Sequence, residues 1–75
     1  MPDFVLFQRD DCHLCDQALA LLAEARLPDF HSEWIDDDEG LEARYGIRVP
    51  VLRRADGAEL DWPFDVEAVR AFAEG

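Results

Sequence analysis

FVLFQRDDCHLC, residues 4–15, joins a five-residue, mostly apolar run to two cysteines through three consecutive charged residues. The run Phe4 to Gln8 is short and lacks a strict polar alternation, which predicts a strand buried on both faces. Arg9-Asp10-Asp11 ends it. From His13 to Arg26 nearly every residue is a good helix former, and Leu14, Ala18, Leu21, Leu22 and Ala25 share one face at helical spacing. Leu27-Pro28 then closes the helix, because a residue before proline avoids the helical region. Cys12 therefore stands where a buried strand passes into an amphipathic helix.

Downstream, His31 to Ile35 reads as a second strand, and the run Asp36 to Glu39 suits a helix N-terminus through the macrodipole. Leu41 and Tyr45, four apart, form the inner face of a short second helix, for which Gly46 supplies a left-handed stop. Ile47 to Arg54 reads as a third strand, with Pro50 inside it. Ala55-Asp56-Gly57-Ala58 carries the Asp-Gly signal for a hairpin into Glu59-Leu60. Asp65 caps a last helix, with Phe64 stapled onto Val69 and an apolar stripe of Val69, Phe72 and Ala73. The order β-α-β-α-β-β-α predicts an α/β fold: a four-stranded mixed sheet flanked by helices.

Seventy-five residues make one core, so residues 1–75 read as a single domain. With 49% hydrophobic residues the chain escapes the disordered class despite its charge. Eighteen Asp+Glu against seven Lys+Arg leave a net charge of -11, a field that repels phosphate backbones and anionic lipid heads. Nucleic acid and membrane are thus unexpected partners. No basic-led apolar segment opens the sequence and no run of about 18 apolar residues occurs in it, so we expect a cytoplasmic protein.

Two cysteines two residues apart close too small a loop to stabilise a fold appreciably, and in a reducing compartment the spacing points to redox catalysis or metal binding. At a helix N-terminus the first thiol meets free backbone donors, which makes Cys12 the attacking group and Cys15, one turn later, the resolving group. Asp10 and Asp11 oppose a thiolate there, whereas Arg9 and a protonated His13 favour it. The plainer role of Asp11 is a helix cap. Rival readings are a zinc half-site, for which only His13 and His31 stand as further scattered ligands, and two inert buried cysteines. Pro50 within an apolar run signals a special backbone, such as a cis Val49-Pro50 bond that leaves Val49 backbone groups free to pair with an extended substrate. Trp62 and Phe64 read as core aromatics.

Cys12-His13-Leu14-Cys15 after an opening strand, with Tyr45-Gly46-Ile47-Arg48-Val49-Pro50 later, resembles the thioredoxin superfamily, and the short length is similar to its glutaredoxin-like branch. The resemblance covers nearly the whole chain. It implies a thioredoxin-like fold in which Cys12 attacks, Cys15 resolves and a cis Pro50 faces the dithiol. Arg9 matches the basic residue with which glutaredoxins often hold a glutathione carboxylate. Glutaredoxins usually carry Cys-Pro-Tyr-Cys and a Gly-Gly followed by Asp after the last strand. This chain instead has Cys-His-Leu-Cys and then Leu60-Asp61-Trp62-Pro63-Phe64, departures that resemble a short bacterial glutaredoxin-like family of unassigned function.

The expected activity is thiol-disulfide exchange, with catalytic Cys12 and Cys15, with Arg9, His13, Val49 and Pro50 as substrate-binding residues, and with no cofactor and no resident metal. The expected partners are a protein or small-molecule disulfide and a recycling reductase or thiol, glutathione being disfavoured. The alternatives are a non-catalytic binding module on the same fold and a metal or iron-sulfur carrier.

Overall fold

Leu6 of β1 (Phe4–Gln8) is fully buried, and the computed structural model, which describes residues 4–27 and 29–74, builds a four-stranded sheet around that strand. The other elements are α1 (His13–Glu24), β2 (Phe30–Trp34), α2 (Glu39–Tyr45), β3 (Val51–Arg54), β4 (Glu59–Asp61) and α3 (Val66–Glu74). The strand order is β2-β1-β3-β4, with β1 parallel to β2 and antiparallel to β3, and β3 antiparallel to β4. The helical crossover after β1 gives the parallel pair, and the tight turn after β3 gives the antiparallel one. Among the described residues no helix is long and apolar enough to cross a membrane.

The central position of β1 explains its continuous apolarity, since both of its faces are covered. Phe4 and Leu6 pack with Ala18, Leu22, Leu52, Phe64 and Val69 on the face carrying α1 and α3. Phe7 turns to the other face, where it packs with Ile35, Val51 and Tyr45 of α2. Its ring stacks on Tyr45 with centroids 4.2 Å apart. Phe64 and Val69 share the first core cluster, as the staple predicts, and Asp65 Oδ1 accepts the Ala68 N–H at 2.8 Å. Trp62 packs against that core edge-on to Phe64, with centroids 5.0 Å apart.

Several boundaries differ from the sequence reading, each for a local reason. Helix α1 stops at Glu24 rather than Arg26, because Arg26 turns left-handed at φ 58°. The Arg26 and Leu27 N–H groups then bond back to the Ala23 and Leu22 carbonyls, both at 3.1 Å, closing the helix as a Schellman motif. The stop assigned to Pro28 lies outside the described residues. Within α1 the deeply buried positions are Cys15, Ala18 and Leu22, and Leu14 is half-buried. Strand β2 begins one residue early, at Phe30, and its expected last residue, Ile35, leaves the strand while its N–H still reaches the Gln8 carbonyl at 3.0 Å.

Gly46 is not a left-handed stop: its φ is −50°. A glycine is needed there for space, since a Cβ would come 2.5 Å from the Glu42 carbonyl oxygen. Strand β3 starts at Val51, not Ile47. The end of α2 winds on into turns, with the Arg48 and Val49 N–H groups both donating to the Tyr45 carbonyl at 2.8 and 3.0 Å, and Ile47 is left fully exposed. Pro50 thus precedes the strand and costs the ladder no bond. The turn at Gly57 (φ 94°) delivers β4 as predicted.

Candidate functional site

Beyond the C-terminal ends of the parallel pair β1 and β2, the chain rises through residues 9–12 into α1. Asp11, expected as the cap, instead takes a left-handed conformation (φ 55°) that reverses the chain, a conformation aspartate tolerates better than most residues. Cys12 is the N-cap. Its backbone is extended (φ −120°, ψ 104°) and its Sγ accepts the Cys15 N–H at 3.2 Å. Sulfur here takes the place usually held by a serine or aspartate oxygen, meeting one of the free donors of the first turn.

The two thiols occupy unlike surroundings. Cys12 is half-buried at the opening and Cys15 is 1% exposed beneath it, and both are free. Burial pushes the Cys15 thiol up to about 12, its hydrogen bond to Cys12 pushes the same way, and a bond from the Arg9 backbone opposes them in part. Cys15 therefore keeps its proton at neutral pH. Among the described residues no three His, Cys, Asp or Glu side chains come together as a metal site.

Arg9 is held by its neighbours. Its Nη2 donates to the Gly46 carbonyl at 2.9 Å and to Glu42 Oε1, and Nη1 lies 3.9 Å from Asp36 Oδ1. Asp36 also accepts the Asp10 N–H at 2.9 Å. The loop leading to Cys12 is thereby tied to α2 and to the end of β2. His13 is exposed at the first position of α1.

Val49-Pro50 is a cis peptide, as the sequence suggested, and Pro50 is fully buried. Continuing the Phe7–Val51 register places Pro50 across from Gln8, on the flank of β1 away from β2. The Val49 N–H, expected to be free for an extended substrate, is taken by Tyr45, because the turn after α2 continues through it. Trp62-Pro63 is also cis, a feature the sequence reading missed.

On the β2 flank a cleft of about 430 Å³ opens beside Cys12, walled by Gln8, Arg9, His13, Leu19 and Trp34. Three carboxylates, Asp10, Asp11 and Asp16, line the same opening. Sequence reasoning missed Gln8, Asp16, Leu19 and Trp34 as site residues. The usable signal was topological, since ligands of open α/β sheets gather beyond the carboxyl ends of parallel strands, and Gln8 and Trp34 are paired final residues of β1 and β2. Gln8 is 3% exposed and its Nε2 has no hydrogen-bond partner among the described residues. Leaving such a donor unmet costs about 1–3 kcal/mol.

Comparison with known proteins places these features. The family model described as "Glutaredoxin-like domain (DUF836)" matches residues 3–74. No curated protein matches. An X-ray structure of the protein XcR50 from X. campestris is 59% identical over 95% of each chain, with a TM-score of 0.92. The solution structure of XcR50 is 58% identical over 96% of this chain and 92% of that one, with a TM-score of 0.90. A solution structure of protein Ne2328 from Nitrosomonas europaea is 29% identical over 96% of this chain and 92% of that one, with a TM-score of 0.78.

Proposed function

Because this chain belongs to the glutaredoxin-like domain family (DUF836), a branch of the thioredoxin superfamily without an assigned function, we propose that it is a thiol-disulfide oxidoreductase. The observation that carries the reading is the asymmetry of the two thiols: Cys12 caps a helix at an open cleft, and Cys15 lies protonated beneath it. The Cys12 thiolate attacks one sulfur of a substrate disulfide, forming a mixed disulfide and releasing the other sulfur as a thiolate that takes up a proton. Cys15 then loses its proton and attacks Cys12 Sγ. The second substrate thiol departs, a Cys12–Cys15 disulfide forms, and two electrons have passed to the substrate. A reductase or thiol restores the dithiol.

Roles of the remaining residues follow from their contacts. Arg9 holds the approach to Cys12 in place and adds positive charge near its sulfur. Pro50 stands across from Gln8 on the β3 flank, preceded by Val49, and His13 stands at the cleft entrance. Glutathione is a poor partner in this reading, because its two carboxylates need available cations. Arg9 is engaged by Glu42, and Arg48 donates to Glu59 at 2.9 Å and Asp61 at 2.6 Å. Saturable turnover at physiological glutathione concentration, matching that with a thioredoxin-reductase system, would restore glutathione as the donor.

The exchange reading is tested by mutation and trapping. Cys15→Ser should accumulate a mixed disulfide at Cys12, and Cys12→Ser should abolish reduction of a model disulfide. Alkylation at neutral pH should label Cys12 well before Cys15. Faster labelling of Cys15, or unimpaired reduction by Cys12→Ser, would overturn the assignment.

A further inference from the structure

We infer that the cleft between the start of α1 and the end of β2 binds a cationic peptide segment, one that carries Lys or Arg close to its cysteine. The inference deepens the exchange reading, on which its biological use rests, by naming the class of substrate brought to Cys12.

Charge selects the occupant. Asp10, Asp11 and Asp16 face one opening, and the one arginine on its wall, Arg9, is turned to Glu42 and Gly46 at the end of α2. With a whole-chain charge of -11 around it, the opening attracts cations and repels anions. Trp34 stands on the wall 53% exposed, an aromatic face beside carboxylates. That pairing suits a guanidinium or ammonium group, which the ring attracts through its quadrupole and the carboxylates through their charge.

A side-chain cation meets both the carboxylates and the ring, which describes a basic residue beside the substrate cysteine. The cleft lies on the β2 flank, so a chain seated there reaches Cys12 from the side opposite Pro50.

Binding is measured without redox chemistry by titrating the reduced, 15N-labelled protein with the blocked peptide Ala-Arg-Ser-Lys-Ala and with its counterpart Ala-Glu-Ser-Glu-Ala. The basic peptide should give saturable shifts at the Trp34 indole and the amides of residues 10–13, and the acidic one none. Affinity should fall severalfold as salt rises from about 0.01 M to about 0.15 M and the screening length shortens from about 30 Å to about 8 Å. The double variant Asp11→Asn with Asp16→Asn should weaken binding roughly threefold to tenfold. Absence of shifts with the basic peptide, equal shifts with the acidic one, or shifts that map to the Pro50 flank would overturn the inference. Neither peptide contains cysteine, so a protein that fails to exchange disulfides still returns the binding result. Exchange of an uncharged disulfide without binding of the basic peptide refutes this inference alone.

Discussion

Replacing Gly46 by alanine separates two reasons for a glycine at a helix end. If the residue were left-handed, alanine would suffer from φ alone and asparagine, which tolerates that region, would restore most of the loss. The structure gives φ −50° and ψ −41°, where alanine is intrinsically better than glycine by roughly 0.5–1 kcal/mol. Against this, the added Cβ would lie 2.5 Å from the Glu42 carbonyl oxygen and 2.9 Å from Glu42 Oε1. The carboxylate can swing aside. The carbonyl cannot, because it accepts the Gly46 N–H at 2.8 Å and belongs to the helix backbone. Overpacking of this kind costs about 1–3 kcal/mol, so the net loss should be about 1–2 kcal/mol. For a chain of this size that lowers Tm by roughly 5–15 °C. Urea and thermal unfolding of Gly46→Ala and Gly46→Asn, under reducing conditions, provide the assay. The carbonyl of Gly46 also anchors Arg9, so the alanine variant should in addition alkylate faster at the cysteines as the loop loosens. A neutral or stabilising alanine, or an asparagine that is tolerated where alanine is not, would refute the close-approach argument.

Three further outcomes are expected. Cys15 and Tyr45 both have raised values in the fold, Cys15 from burial and its Cys12 bond, Tyr45 from burial and its bond to Glu59. Each keeps its proton longer folded than unfolded, so the stability they contribute is complete below about pH 9 and is lost as pH rises toward 12. Denaturant midpoints across that range should fall, and less steeply in Cys15→Ala. Burial pushes Glu59 up, but bonds from Tyr45 and Arg48 outweigh it and hold it low. Glu59→Gln should therefore cost about 1–3 kcal/mol at neutral pH and show a smaller penalty as pH falls below the carboxylate range, read by thermal unfolding. Arg26→Gly, at a left-handed Schellman position, should raise Tm by a few degrees, since the side chain is exposed and its φ of 58° disfavours any Cβ. A lowered Tm would show that Arg26 contributes contacts that outweigh its backbone.

Local order along the chain was legible before any tertiary structure, because hydrophobic period, caps and turn residues act over a few neighbours. The buried strand at Phe4 to Gln8, the helix after Cys12, the Asp-Gly turn at Gly57, the Asp65 cap and the paired cysteines all depend on such short-range physics. So did the reading of family and fold, since the dithiol and Pro50 stand at characteristic places in that order. What the tertiary structure alone decided involves residues distant in sequence. Trp34 joins Gln8 only through the parallel pairing of β1 and β2, and Arg9 is occupied only because α2 folds beneath the loop that carries it. Gly46 is glycine because of a carbonyl one turn away that only the wound helix brings close. Position at the helix start already assigned attack to Cys12 and resolution to Cys15. The burial that keeps Cys15 protonated beneath a half-buried Cys12 cap arises only in the fold, which no spacing rule contains.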